Sequence, residues 1–143
     1  MDSAKRVISG TWGALWIEGE QVAECYGFQA KYSFNKEDVP LCGQMSTDSK
    51  ITSIKGTGSM RLHKVYSRAA VLIGDAIRNG KDLRFTAVSK LKDPDAYGAE
   101  RVAVRGISFD DLTLADWEAK NVGKTEMPFT FTDHEFLDLI EPS

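Results

Sequence analysis

The residues most suggestive of chemistry are Lys-Gly-Thr-Gly-Ser, residues 55–59, within ITSIKGTGSMRLHKV. A phosphate-binding loop needs glycines that follow a strand and precede a helix whose N–H groups point at the anion. No helical pattern follows directly here, because every second residue from Ile54 to Leu62 is apolar or glycine, which is typical of a strand. Gly56 and Gly58 are therefore predicted inside a strand, on its apolar face, where another element approaches closely. We expect a helix predicted further along the chain to lie over them.

Carboxylates supply the next candidates for chemistry. Asp110 and Asp111 form a pair that could bind a cation or serve a hydrolase, but no partner residue is found for them, and adjacent acids after a strand are commonly solvated. Glu18, Glu20 and Glu24 flank a predicted turn and lack a basic or histidine partner in the sequence. No serine or cysteine lies in a nucleophile elbow. The sequence therefore predicts no catalytic residue and no enzyme.

Metal and cofactor sites are not predicted either. His63 and His134 lie far from each other and from Cys25 and Cys42, without the spacing of metal ligands. The two cysteines are expected to be free thiols that behave as small, buried or half-buried hydrophobic residues.

Size and composition indicate one soluble globular domain over residues 1–143. The hydrophobic content of 42% and the charged content of 27% are ordinary for such proteins. The sequence has no run of about 18 apolar residues that could span a membrane. The N-terminal 20 residues do not resemble a secretory signal, so we expect a protein that stays in a cytosol.

The net charge of −3 is unevenly distributed. Residues 50–105 carry twelve basic and five acidic side chains, whereas residues 106–143 carry two basic and nine acidic ones. These net charges of +7 and −7 are compatible with a solvated surface or with two unlike faces that favour head-to-tail association. A nucleic-acid-binding protein would more often be basic overall, so sequence-specific nucleic-acid binding is not expected.

Alternation with a period of two dominates the chain and predicts strands. It is clear over Tyr26–Phe34 and over Met127–Phe131, and Glu18-Gly19-Glu20 is predicted to form the turn of an earlier hairpin. The apolar residues change from even-numbered to odd-numbered positions between Val104 and Ile107, and this change of parity predicts a bulge or bend at Gly106.

One segment has helical spacing. Ala69, Leu72, Ile73, Ala76 and Ile77 predict an amphipathic helix over about residues 68–79, with Ser67 as N-cap and Gly80 just after the last turn. Residues 35–50 and 90–100 are predicted as loops, and residues 111–121 are ambiguous. The predicted fold is mostly β: an antiparallel β-sandwich or barrel with one flanking α-helix.

The ordered segments ISGTWGALWIEGEQVAECYGFQAKYSFNKEDV, KGTGSMRLHKVYSR, GAERVAVRGISFDDLTLADWEAK and EMPFTFTDHEFLDLI have a familiar arrangement. Together they resemble the tail tube (core) proteins of contractile-tailed phages, phage-like elements and R-type bacteriocins of Gram-positive bacteria. The resemblance covers the chain from about Ile8 to Leu139 and depends on the order of the segments rather than on one specific motif.

This resemblance implies a structural subunit of the inner tube, assembled in the bacterial cytoplasm and located in the tail of a virion or phage-like particle. Six subunits would form a ring, and rings would stack into a hollow conduit for DNA or ions. The implied partners are further copies of the chain, sheath and baseplate proteins and, in a phage, the tape-measure protein and DNA in the lumen.

The resemblance also implies that the long loop before the glycine strand contacts a neighbouring subunit or ring. Its residues are Val39, Pro40, Leu41, Cys42, Gly43, Gln44, Met45, Ser46, Thr47 and Asp48. The composition leaves an alternative open, namely a monomeric β-barrel that binds a small apolar ligand among its aromatic residues.

Overall fold

The computed structural model describes residues 9–43, 45–64, 70–80, 82–94, 98–112 and 115–140. Every strand pairing in this part of the chain is antiparallel, so the predicted antiparallel β fold is confirmed. A short 3₁₀ turn, Gly10–Trp12, precedes the first strand. The strands are β1 Gly13–Ile17, β2 Glu20–Gln21, β3 Cys25–Val39, β4 Asp48–His63, β5 Phe85–Lys92, β6 Ala99–Phe109, β7 Lys124–Phe131 and β8 Asp133–Asp138.

The strands form two sheets that share β6. In the first sheet the order is β2-β1-β5-β6-β8, and in the second sheet it is β6-β7-β4-β3. The two sheets enclose one hydrophobic core, with side chains from β1, β4, β5, β6 and β7. Its largest fully buried side chains are Phe129, Leu15, Met60, Ile107 and Val104.

The sheets meet at a corner formed by Gly106 and Thr132. Residues 101–105 of β6 pair with β8, whereas Ser108 and Phe109 pair with β7. Gly106 has a φ of +70°, and a Cβ atom there would overlap Thr132 Oγ1. The extra residue at this bend keeps both Val104 and Ile107 in the core, so the predicted bulge is confirmed.

The first hairpin turns at Glu18-Gly19, as predicted. Both residues have positive φ, 51° and 83°, and Ile17 pairs with Glu20, which is the geometry of a two-residue turn that matches strand twist. The Glu18 carboxylate accepts a 2.6 Å hydrogen bond from the Thr86 N–H. Glu18 therefore joins the turn to β5.

The predicted helix is shorter and less regular than its spacing suggests. A π-helical turn, Ala70–Gly74, leads into the α-helix α1, Asp75–Arg78, while the predicted cap Ser67 lies outside the described residues. Ile73 packs against the core, but Ile77 is 59% exposed, so the prediction that Ile77 belongs to a buried stripe is wrong. Gly80 has a φ of +68° and donates its N–H to the carbonyl of Ile77, as expected of a residue that ends a helix. In the part of the chain that is described, no helix is long and apolar enough to cross a membrane.

The loops are shorter than predicted. Strands β3 and β4 extend to Val39 and from Asp48, so the loop between them is residues 40–47 rather than 35–50. Strands β5 and β6 likewise reduce the second predicted loop to residues 93–98. The described residues between 111 and 121 form neither a helix nor a strand.

Candidate assembly surface

The base of the β3–β4 hairpin is packed tightly against β7. A Cβ atom at Gly56 would lie 2.8 Å from the ring of Phe131, and one at Gly58 would lie 2.7 Å from the ring of Phe129 and overlap the Gln29 carbonyl. The glycines therefore admit two phenylalanine rings, and the expectation that the helix covers them is wrong. They hold no phosphate, because they lie in mid-strand, paired on both sides.

Aromatic contacts extend this packing towards the C-terminal end of β7. The Phe28 and Phe129 rings stack with centroids 5.7 Å apart, and Tyr32 contacts Phe131 at 5.1 Å. The Tyr32 hydroxyl lies 2.6 Å from His134 Nδ1. The last pair between β4 and β7 is Gly56 with Phe131, and the cover provided by β7 ends there.

Beyond that point β3 and β4 form a two-stranded projection, residues 33–39 and 48–55, which we call the arm. No third strand pairs with the arm in the described part of the chain, and all its residues are exposed. Its register runs from Ser33 opposite Lys55 to Val39 opposite Asp48, with Thr52 as an extra bulged residue. The sequence did not predict this paired extension.

The arm has an apolar face that no described residue covers. Phe34 and Ile54 are register partners that are 57% and 58% exposed, and Ile51, on the same face beyond the bulge, is 50% exposed. This face continues the row of Phe28 and Tyr32, which are half-buried against the core. Core-type residues therefore extend past the end of the core.

The tip of the arm, residues 40–47, holds most of the predicted contact loop. Leu41 and Cys42 are exposed, and Met45 is fully exposed. Gly43 has a φ of +80°, and Gln44 lies outside the described residues. Val39 and Asp48, predicted as loop residues, instead form the last strand pair before the tip.

The other face of the second sheet is polar, and we call it the polar face. It is defined by alternate residues of four strands, which share their orientation through the register of the sheet. They are Gln29, Lys31, Ser33 and Asn35 of β3; Ser53, Lys55, Thr57 and Ser59 of β4; Pro128 and Thr130 of β7; and Ser108 of β6.

A family model described as phage tail tube protein matches residues 2–138 of the chain. The phage-like element PBSX protein XkdM of Bacillus subtilis (strain 168) is 34% identical over 134 residues, which cover 92% of this chain and 91% of XkdM. The chain belongs to the phage tail tube protein family. The predicted family is thereby confirmed.

Two structures determined by cryo-electron microscopy show the same fold as this tail tube protein. A chain of the anti-feeding prophage cap, which terminates its tube, matches with a TM-score of 0.70 and covers 92% of this chain and 91% of that one. A chain of the sheath–tube complex of an extracellular contractile injection system, PVC, matches with a TM-score of 0.67 and covers 92% of each. Both are 10% identical to this chain, so these likenesses concern the architecture alone.

The residues considered for catalysis are scattered in this tail tube protein. Asp110 and Asp111 are exposed at the end of β6, and His63 contacts Tyr26 in a tilted arrangement with ring centroids 4.5 Å apart. Among the described residues, no group of three or more histidine, cysteine or acidic side chains could hold a metal ion. Cys42 is exposed rather than buried, which corrects the expectation for that thiol.

The interior of the tail tube protein is filled by side chains. Phe129 is 0% exposed at its centre. Two clefts of about 500 Å³ each open at the surface, one over Trp16 and Val88 and one between β1 and β3. Neither cleft is a barrel interior of the kind that the ligand-binding alternative requires.

The oppositely charged segments of the sequence lie side by side in the fold. Arg101 and Arg105 of β6 form ion pairs with Asp138 and Glu135 of β8, at 2.7 and 2.6 Å. These two ion pairs balance part of the charge asymmetry within one subunit.

Proposed function

We propose that this tail tube protein forms hexameric rings that stack into a hollow inner tube for the passage of DNA or ions. It acts there as a structural subunit in the tail of a virion or phage-like particle, without enzymatic activity. The observation that carries the proposal is the arm, whose apolar face has no cover from the described residues of the isolated subunit.

The energetics of the arm favour a second copy of the chain as its cover. An isolated two-stranded hairpin is marginally stable in water, and Phe34, Ile51 and Ile54 each expose half or more of their surface. Burial of apolar area contributes about 25 cal/mol per Å². Contact with a neighbouring subunit therefore stabilises both the arm and the assembly.

Free sheet edges support ring closure. In the described part of the chain, β3 pairs only with β4, and β8 pairs only with β6. Each strand therefore has one edge whose backbone N–H and C=O groups can pair with another chain. Edge-to-edge pairing between subunits uses these groups and leaves a closed ring without open edges.

The proposed contact loop is Val39 to Asp48, which reaches the neighbouring subunit or ring with Leu41 and Met45 at its tip. The two matching structures belong to a tube cap and a sheath–tube complex, which supports sheath proteins as partners here, and baseplate proteins are proposed with them. A tape-measure protein and DNA would occupy the lumen if the particle is a phage.

Electron microscopy tests the assembly directly. Negative-stain images of the purified chain, taken over a range of concentrations and salt, are expected to show rings or tubes with six-fold end views. A folded chain that remains monomeric under all these conditions would contradict the proposal.

A shortened arm tests the role of the tip. Because Val39 pairs with Asp48, replacing residues 40–47 by Asn-Gly closes the hairpin with a favourable two-residue turn. We expect a folded subunit that no longer forms tubes, and a Ser53→Ala control on the polar face of the arm that assembles normally. Tubes formed by the shortened chain would exclude the tip as the connector.

A further inference from the structure

The polar face differs in composition from the exposed face of the first sheet. Its central residues are hydroxyl, amide and lysine side chains with one proline, and none is a large apolar residue. The exposed face of the first sheet instead carries half-buried Trp16 and Val88 beside Lys90 and Arg101. Aromatic and arginine side chains are typical of surfaces that bind another protein, whereas short hydroxyl side chains are suited to contact with water.

Charge on the polar face is concentrated at two lysines. At the base of the β3–β4 hairpin, Glu126 is the register partner of Arg61. Near the tip of the arm, Glu37 is the register partner of Lys50. The register partners of Lys31 and Lys55 are Thr57 and Ser33, which are uncharged. The remaining charged residues at the ends of this face are Asp48, next to the tip, Asp110, two positions after Ser108, and Lys124, whose Nζ lies 5.7 Å from the Tyr26 ring centroid.

Lys31 and Lys55 are also diagonal neighbours on adjacent strands. Such positions lie about 7–8 Å apart in an antiparallel pair, so two like charges there slightly destabilise the subunit. Both side chains are exposed, with no acidic register partner to offset them. The placement of the two lysines therefore does not stabilise a single subunit.

We propose that the polar face of the second sheet lines the lumen of the tube, and that Lys31 and Lys55 attract a nucleic-acid cargo through its phosphates. This inference rests on the proposed assembly. Six-fold repetition would turn the two lysines into two closely spaced circles of positive charge around the axis. The cargo would be held loosely, because exposed charges are screened by salt within about 8–10 Å, and the hydroxyl groups between them bind water equally well.

The placement is tested by a cryo-electron microscopy reconstruction of the assembled tubes. The expected result is that Lys31, Lys55 and Thr57 face the axis, while Trp16 and Val88 face outward or contact a neighbour. Tubes in which Lys31 and Lys55 face outward would overturn this inference and leave the proposed function intact. Failure of the chain to form any tube would overturn both.

The charge is tested with tubes of the Lys31→Gln/Lys55→Gln double variant and a short fluorescently labelled single-stranded DNA. Co-sedimentation at low salt is expected to show binding at least tenfold weaker than for unaltered tubes. The dependence of log K on log salt concentration should become shallower by about 0.7 units for each phosphate of the single strand that the variant no longer neutralises. The matched control is Lys92→Gln, which removes an exposed lysine at the end of β5 in the first sheet and should bind as the unaltered tubes do.

Two results would overturn the cargo assignment. One is equal DNA binding by the double variant and the unaltered tubes. The other is tighter binding of poly-glutamate than of DNA to the unaltered tubes, which would indicate an acidic polypeptide as the cargo. Tubes of each variant are first verified by electron microscopy, so that weaker binding is not confused with a failure to assemble.

Discussion

The two ends of the β3–β4 hairpin have similar strands but opposite surroundings. At the base, β7 pairs with β4 and places Phe129 and Phe131 against glycines. In the arm the same two strands continue without a third, and Phe34 and Ile54 are exposed. Apolar residues at the base therefore stabilise the subunit, whereas those of the arm can be buried only in an assembly.

The largest expected effect comes from Gly58→Val at the base. The new side chain would overlap the Gln29 carbonyl and the Phe129 ring, and neither the paired backbone nor the central ring can move freely. Overpacking of a core typically costs about 1–3 kcal/mol, and the clash with a backbone atom places this variant at or beyond the upper end.

Gly58→Val is checked by urea unfolding followed by circular dichroism. The control is Thr57→Val. Valine has nearly the same volume as threonine, and position 57 lies on the opposite face of the same strand, so the unfolding midpoint of this variant should change little. A Gly58→Val protein as stable as the unaltered chain would show that the base is not closely packed.

A pair of phenylalanine variants separates the two regions next. Phe131→Ala at the base removes a side chain that is 6% exposed and should lower the free energy of unfolding by about 3–5 kcal/mol. Phe34→Ala in the arm removes an exposed ring and should change it by about 0.5 kcal/mol or less.

Phe34 should be important for assembly although it contributes little to the free energy of unfolding of the subunit. Phe34→Ala is expected to remain folded and to form few or no tubes by electron microscopy, because the ring would be buried only between subunits. If instead Phe34→Ala assembles normally, the apolar face of the arm is not the contact surface, and the comparison between base and arm fails.

Sequence periodicity predicted the elements that bury one face. The alternation over Met127–Phe131 and the parity change at Gly106 arise because core residues recur on one side of a strand. Over Tyr26–Phe34 the same alternation runs from the half-buried Phe28 and Tyr32 to the exposed Phe34. All residues of β8 are exposed, so alternation gave no sign of it. Residues 35–39 and 48–50 were predicted as loop for the same reason, since neither face of that part of the arm meets the core.

The candidate surface was less predictable than the fold. Gly56 and Gly58 indicated a close approach by another element, but the sequence could not show that this element was β7, because the pairing of distant strands is a tertiary property. The contact loop from Val39 to Asp48 came from the family resemblance, and its role stays a proposal. The uncovered row of Phe34, Ile51 and Ile54 became visible only when the end of β7 was located.

The smallest expected effect distinguishes the two cysteines, one in each region. Cys25 at the base is half-buried and donates its S–H to the Gly27 carbonyl at 3.3 Å, and burial raises the pKa of its thiol despite opposing hydrogen bonds and the positive charge of Arg61. Cys42 at the tip is exposed. Because the thiolate is the reactive form, Ellman's reagent at about pH 8 should modify Cys42 at least tenfold faster than Cys25 in single-cysteine variants.

The half-buried thiol of Cys25 should also make the free energy of unfolding depend on pH. The thiolate of Cys25 forms at lower pH in the unfolded chain than in the folded one, so the unfolded state binds fewer protons between the two pKa values. The free energy of unfolding should therefore be unaffected by this group below the ordinary cysteine pKa of about 8.5 and fall slightly as the pH rises above it. Cys25→Ala should lack that decrease, whereas Cys42→Ala should retain it, and urea titrations of both variants over this pH range check the difference. Equal behaviour of the two variants would mean that the base of the hairpin is as open to water as the arm.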